Sequence, residues 1–153
     1  MNKKIISIIA AFIILILPVV SLASPDMISN GVQSSVSYLM QIKNPETEYT
    51  TTSNQTYMIS AVALADTTVT LYTYSPSTDL YTKMYGADGN PLEVKVGASG
   101  LYAQEIGLNQ GSNKIMVRAQ RDEGEVQIFY LEINVLGKGF LSKIKTFAQN
   151  LFN

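Results

Sequence analysis

Apolar and polar residues alternate with a period of two through most of the chain between residues 36 and 136. In residues 68–74, Val69 and Leu71 fall on one side of an extended chain, and Thr70 and Tyr72 fall on the other. Turn-forming Gly, Asn, Asp and Pro residues separate successive runs of this kind. The pattern predicts eight strands, at residues 36–43, 57–64, 68–74, 80–85, 92–96, 101–108, 113–121 and 126–136.

These strands recur at the spacing typical of an antiparallel sandwich, and no helical pattern stands between them. A parallel sheet is therefore not expected, because parallel strands need long crossover connections. Residues 46–55 are polar and rich in threonine, and we expect them to cross between the two sheets as a loop. A closed barrel is the structural alternative.

The two ends of the chain follow other patterns. Residues 1–23 have a basic start, a long apolar run and small residues at the end, which is typical of a secretory signal cleaved after Ala23. An uncleaved membrane anchor is the alternative, since the apolar run is nearly long enough to span a bilayer. Residues 24–35 lack any period and are predicted to be a flexible leader.

Residues 137–153 are predicted to form a glycine hinge followed by a short amphipathic helix. The helix would either contact a membrane or partner, or fold back onto the end of the sandwich. Its candidate contact residues are Phe140, Leu141, Lys143, Ile144, Lys145, Phe147, Leu151 and Phe152.

The composition of the chain limits the kinds of catalytic and metal-binding site that it can form. The chain has no histidine and no cysteine, so imidazole bases, thiol nucleophiles, disulfides and the usual zinc ligands are all missing. The acids fall in predicted turns or at outward positions of strands, and the turns at residues 88–90 and 122–125 lack the spacing of a calcium loop. We therefore predict a non-enzymatic protein with no metal and no cofactor.

Charge argues against one class of partner. Residues 24–137 contain twelve acidic and six basic residues, and an acidic body of this kind disfavours nucleic acid. The abundance of Lys, Ile, Asn and Tyr suggests a bacterial source.

Tyrosine is the residue type that points most directly to binding, with nine copies in a chain that lacks tryptophan. Tyr72, Tyr74, Tyr81 and Tyr85 fall at one parity of consecutive predicted strands, with Lys83 between them. If those strands pair, they form an aromatic patch on an outer face, which would suit sugars or protein partners. Cross-strand aromatic pairs that only stabilise the sheet are the alternative.

Several segments together resemble bacterial Ig-like domains. They are residues 42–45 (Ile-Lys-Asn-Pro), 57–61, 67–72 and 100–102, and the series Ile106, Leu108, Gly111, Asn113, Ile115, Val117 and Ala119. The resemblance spans residues 40–136 and departs at Ala61, where the family usually has glycine, and at residues 65–66, where it has a glycine turn. It implies an all-β, Ig-like sandwich of seven to eight strands that serves in binding, spacing or attachment, and it carries over no catalytic residues.

The sequence therefore predicts a secreted, non-catalytic Ig-like module that binds a cell-surface, polymer or protein partner. The alternative is a membrane-associated effector that acts through its basic C-terminal helix.

Overall fold

A computed structural model describes residues 24–122 and 124–151. The predicted signal, its cleavage site and Phe152 lie outside the described residues. Within them, no helix is both long and apolar enough to cross a membrane.

The described chain is built mainly of strands, with one helix at its C-terminal end. The strands are β1 (Met27–Ser29), β2 (Met40–Asn44), β3 (Tyr49–Thr52), β4 (Thr56–Ala63), β5 (Thr68–Ser75), β6 (Leu80–Lys83), β7 (Glu93–Lys95), β8 (Leu101–Gly107), β9 (Gly111–Gln120) and β10 (Val126–Val135). The helix, α1, spans Lys138–Leu151.

The strands form two sheets. The larger has the order β1-β6-β5-β9-β10-β3, with β7 pairing the first half of β5, and the smaller has the order β2-β4-β8. All pairings are antiparallel except that of β3 with β10, which is parallel.

One apolar core lies between the two sheets. The smaller sheet contributes Ile59 and Ile106, and the larger contributes Leu71, Val117 and others, all nearly or completely buried. These residues alternate with outward ones along their strands, so the period of two in the sequence describes this core correctly. Burial of these side chains is the main stabilising contribution to a domain that contains no disulfide.

The predicted strands between residues 57 and 136 are confirmed to within a few residues. The first predicted strand is shorter than expected, since β2 begins at Met40 rather than at residue 36. Upstream of it, the amides of Ser35 and Val36 donate to the carbonyl of Val126 in the other sheet. Residues 36–39 therefore connect a segment bonded to the larger sheet with β2, which belongs to the smaller sheet.

Two segments predicted to be irregular contain strands, and these predictions were wrong. β1 lies inside the predicted leader and pairs with the edge strand β6, from Met27 opposite Thr82 to Ser29 opposite Leu80. β3 lies inside the predicted crossing loop, where its β-branched threonines suit an extended edge strand. Both are short edge strands, and their three or four residues give only a weak alternating signal.

The turn that departs from the Ig-like pattern has a clear local explanation. Asp66 takes a positive φ of 67°, a conformation that glycine adopts most easily and that aspartate tolerates better than most residues. Its carboxylate also lies 2.9 Å from the ammonium of Lys95.

Candidate binding surface

The predicted tyrosine patch depends on how β5 and β6 pair. They pair antiparallel, with Tyr72 opposite Lys83 and Tyr74 opposite Tyr81, so these four side chains share one face as predicted. Tyr85 lies beyond the end of β6, where it bridges Pro91, and it is 55% exposed. It is not part of the cluster that the other tyrosines form.

Most of this face is not open to solvent. Tyr72, Tyr81 and Met116 form a second buried cluster on the outer side of the larger sheet, with Tyr74 and Ile28 packed against it. Ile28 belongs to β1, so the N-terminal segment, residues 24–35, covers this part of the sheet. The patch is therefore partly a second core, and only its uncovered end can contact a partner.

Hydrogen bonds fix the start of the N-terminal segment to the sheet. The Lys83 ammonium donates to the carbonyl of Ser24 at 2.6 Å, and the Tyr72 hydroxyl donates to the carbonyl of Pro25 at 2.8 Å. The hydroxyl of Ser24, a buried residue, lies 2.8 Å from that of Thr70. Lys83, predicted as a binding residue, is thus 7% exposed and occupied with internal contacts.

Charged groups surround this anchor. The Lys83 ammonium lies 3.4 Å from a carboxylate oxygen of Asp26 and 3.5 Å from one of Glu93. The guanidinium of Arg118 donates to Gln120 and to the hydroxyl of Ser24, and burial lowers its pKa. The carboxylates balance the buried cations, which indicates a structural role for this cluster.

At the other end of the same face lies an open cleft of about 290 Å³, which we call the tyrosine cleft. It is formed where the N-terminal segment, β3, β6, β9 and β10 meet. Its lining residues are Asn30, Gly31, Glu48, Tyr49, Tyr81, Lys114, Tyr130, Leu131 and Glu132.

A row of aromatic rings leads from the covered region into the tyrosine cleft. The ring centroids of Tyr74 and Tyr81 are 5.2 Å apart, and those of Tyr81 and Tyr130 are 5.5 Å apart, with the planes tilted by about 50° in each pair. Such tilted pairs are favourable arrangements of aromatic quadrupoles. The Lys114 ammonium lies 5.4 Å from the centroid of Tyr74, within the range of a cation–π contact.

The hydroxyls of the two cleft tyrosines in this row differ in their partners. The Tyr130 hydroxyl donates to the carbonyl of Val32 at 2.8 Å, which ties the N-terminal segment to β10. The Tyr81 hydroxyl has no hydrogen-bond partner among the described residues, although the residue is only 4% exposed. Burial raises the pKa of Tyr81 to about 12, and the nearby Tyr130, Tyr74 and Glu132 add to this effect.

Sequence reasoning identified Tyr81 but missed most of the tyrosine cleft. Tyr49 was assigned to a loop, and Tyr130 and Glu132 lie on β10, whose outward face was not linked to that of β6. Their shared parity on β10 was visible, but only the strand order places them beside Tyr81.

Helix α1 follows the last strand, after Gly137. All its described side chains, at residues 142–150, are exposed, including Ile144 at 49% and Phe147 at 67%. The basic residues Lys143 and Lys145 are exposed as well. The side chains of Phe140, Leu141 and Leu151 lie outside the described part of the chain, and the fold-back alternative stays a prediction.

No metal-binding cluster of three or more acidic side chains occurs within residues 24–122 and 124–151. No protein-family model matches the chain, and no curated protein matches it either. The features of the chain that bear on its function are therefore the geometry of the tyrosine cleft and that of α1.

Proposed function

We propose that this protein is a secreted, non-catalytic Ig-like module that binds a cell-surface polymer or a protein partner through the tyrosine cleft. The observation that carries the proposal is that Tyr72 and Tyr81 on the outer face are buried, with Ile28 of the N-terminal segment packed against them, whereas the cleft beside them keeps an exposed aromatic ring. There, Tyr49 remains 73% exposed beside the half-buried Tyr130.

The order of the strands supports the Ig-like part of the proposal. Ig domains place their first, second and fifth main strands in one sheet and their third, sixth and seventh in the other. Here β2, β4 and β8 form one sheet, while β5, β9 and β10 adjoin one another in the second. β6 extends the second sheet beside β5, as the additional strand of variable-type Ig domains does.

Export is supported by the signal predicted over residues 1–23 and by a domain that needs no reduced cysteine. In this proposal the protein binds its partner non-covalently and catalyses no reaction. Tyrosine rings offer large, rigid and partly apolar surfaces, so burying them against a partner yields affinity at a low cost in side-chain entropy. Carboxylate and ammonium groups around the rings would then select the partner by hydrogen bonding.

The test compares two exposed tyrosines. The exported protein is incubated with whole cells, purified envelope polymer and protein extract of the producing organism, and the retained protein is quantified. Tyr49→Ser should reduce retention strongly, whereas Tyr85→Ser, which removes an exposed tyrosine outside the cleft, should not. Retention of the unaltered protein by none of the three fractions would refute the proposal.

A second function is favoured by a separate observation, the exposed apolar side chains of Ile144 and Phe147 on a helix with no acidic residue. Such a helix can insert its apolar side into an anionic membrane while its lysines contact the headgroups. The protein would then be an effector that acts at a membrane surface.

Co-sedimentation with vesicles of phosphatidylglycerol and phosphatidylethanolamine tests this second function. The variant Ile144→Ser/Phe147→Ser should lose pelleting, and the matched variant Thr146→Ser/Gln149→Ser, on the same exposed helix, should keep it. If the unaltered protein fails to pellet with these vesicles, membrane binding through α1 is ruled out.

A further inference from the structure

The Tyr81 side chain lines an open cleft, and its hydroxyl has no internal hydrogen-bond partner among the described residues. Although the residue as a whole is only 4% exposed, its hydroxyl is not one of the buried side-chain atoms that lack a partner, so solvent reaches it at the cleft. This hydroxyl is therefore available to a ligand that enters the tyrosine cleft.

We propose that the tyrosine cleft binds a ring of a neutral, hydroxyl-rich saccharide. This inference rests on the proposed function and names the class of ligand for the same site. It follows from four properties of the cleft, which are its flat rings, its mixture of donors and acceptors, its charges and its size.

The flat rings are those of Tyr49 and Tyr130, which belong to the neighbouring strands β3 and β10. Tyr49 stands at the rim with most of its surface accessible, and Tyr130 is fixed by its ring contact with Tyr81 and its bond to Val32. A sugar ring presents apolar C–H groups on its faces, and these pack well against an aromatic ring.

The polar groups of the cleft include both donors and acceptors. Glu132 accepts a hydrogen bond from Ser112 through Oε1, which leaves Oε2 without a partner among the described residues, and Glu48 supplies a second carboxylate. Lys114 is a donor, and the Tyr81 hydroxyl can donate and accept. A saccharide hydroxyl also does both, so it can pair with each of these groups.

The charged groups around the tyrosine cleft are the carboxylates of Glu48 and Glu132 and the ammonium of Lys114. This excess of negative charge disfavours an anion. A neutral ligand meets no such repulsion and uses all three groups for charge-assisted hydrogen bonds.

The volume of about 290 Å³ lies at the small end of the range for ligand sites. This size suits a single ring rather than a long stretch of polymer. A polymer partner would therefore be recognised by one unit that enters the cleft while its neighbours remain in solvent.

The full chain in its exported form is tested for ligand binding by ligand-detected NMR and by calorimetry. The probes are glucose, galactose, N-acetylglucosamine and short β-linked oligomers of each, with tetramethylammonium and inorganic phosphate as ionic probes. We expect saturable binding of at least one saccharide. Tyr81→Phe, which retains the ring and its packing, should weaken that binding about three- to tenfold, and Tyr85→Phe should leave it unchanged.

Saturable binding of an ionic probe with no saccharide bound would overturn the saccharide inference. Equal affinities of the Tyr81→Phe and unaltered proteins would also overturn it. If no saccharide binds while Tyr49→Ser still reduces retention by envelope polymer or protein extract, the saccharide inference fails and the proposed function stands. If neither saccharide nor any fraction is bound, both fail.

Discussion

The ammonium of Lys83 donates a 2.6 Å hydrogen bond to the main-chain carbonyl of Ser24, across 59 residues of sequence. This bond joins the start of the N-terminal segment to β6, in the middle of a tyrosine-rich face. It explains why Lys83, which alternation places on an outer face, is almost fully buried.

Replacing Lys83 with methionine should lower the free energy of unfolding. The change keeps most of the side-chain volume, but it leaves the Ser24 carbonyl and the Glu93 carboxylate without their cation, at a cost of about 1–3 kcal/mol. Urea denaturation followed by circular dichroism measures the loss. Lys95→Met is the matched control, because Lys95 and its partner Asp66 are 66% and 71% exposed and such surface pairs contribute about 1 kcal/mol or less. Equal effects of the two substitutions would show that Lys83 has no special structural role.

Leu71 lies in the core of the sandwich, and Leu101 lies on its surface. Leu71→Ala should reduce the free energy of unfolding by about 2–5 kcal/mol, because it leaves a cavity between the sheets. Leu71 is completely buried, whereas Leu101 is 70% exposed, so Leu101→Ala should change the same quantity by no more than about 0.5 kcal/mol. Urea titrations of both variants check the prediction, and a small effect of Leu71→Ala would contradict the position of the core.

Asn113 holds the turn between β8 and β9. Its amide nitrogen lies 2.8, 2.9 and 3.2 Å from the carbonyl oxygens of Asn109, Gly111 and Ile133, and its own oxygen accepts from the amide of Asn109. Asn113→Asp should destabilise the protein by about 1–3 kcal/mol, since a carboxylate oxygen would replace the donor that faces these carbonyls.

The control for this substitution is Asn134→Asp, at an exposed position on the neighbouring strand. It introduces the same charge without removing a hydrogen bond, so its effect should stay within about 0.5 kcal/mol. Thermal unfolding of the two variants at neutral pH makes the comparison. A Tm for Asn113→Asp that matches that of Asn134→Asp would disprove the role of the amide.

Stability should fall at alkaline pH because of buried tyrosines. Burial raises the pKa of Tyr72 and of Tyr81 from 10.0 to about 12. Below pH 10 both hydroxyls are protonated in the folded and unfolded chain, and their contribution is fully present. Between pH 10 and 12 the unfolded chain releases these protons first, so the free energy of unfolding decreases as the pH rises.

The measurement is a series of urea titrations across this range, with tyrosinate absorbance recorded in parallel. The double variant Tyr72→Phe/Tyr81→Phe removes both hydroxyls, and its stability should decline less steeply with pH. Parallel declines for the variant and the unaltered protein would show that these two tyrosines do not cause the effect.

Much of the fold was predictable because a strand with one face in the core alternates apolar and polar residues along its sequence. Leu71 and Val117 alternate with residues of the opposite face, and this alone located β5 and β9. The same parity correctly placed Tyr72, Tyr74, Tyr81 and Lys83 on one face once β5 and β6 paired.

The short edge strands were not predictable in this way. β1 and β3 span only three and four residues, and their pairing with β6 and β10 leaves no local pattern in the sequence. Tyr49 was therefore assigned to a loop, and Ile28 to a flexible leader. Without these two elements, neither the cover over Tyr72 nor the tyrosine cleft could be foreseen.

The sequence by itself determined the strands from β4 to β10 and which side chains share a face of each strand, because alternation is a property of each strand alone. Only the tertiary structure decided that the N-terminal segment covers one part of the tyrosine face and leaves the tyrosine cleft open at the other. The physical reason is that hydrogen bonds between residues far apart in sequence, such as Lys83 to Ser24 and Tyr130 to Val32, leave no local pattern in the chain.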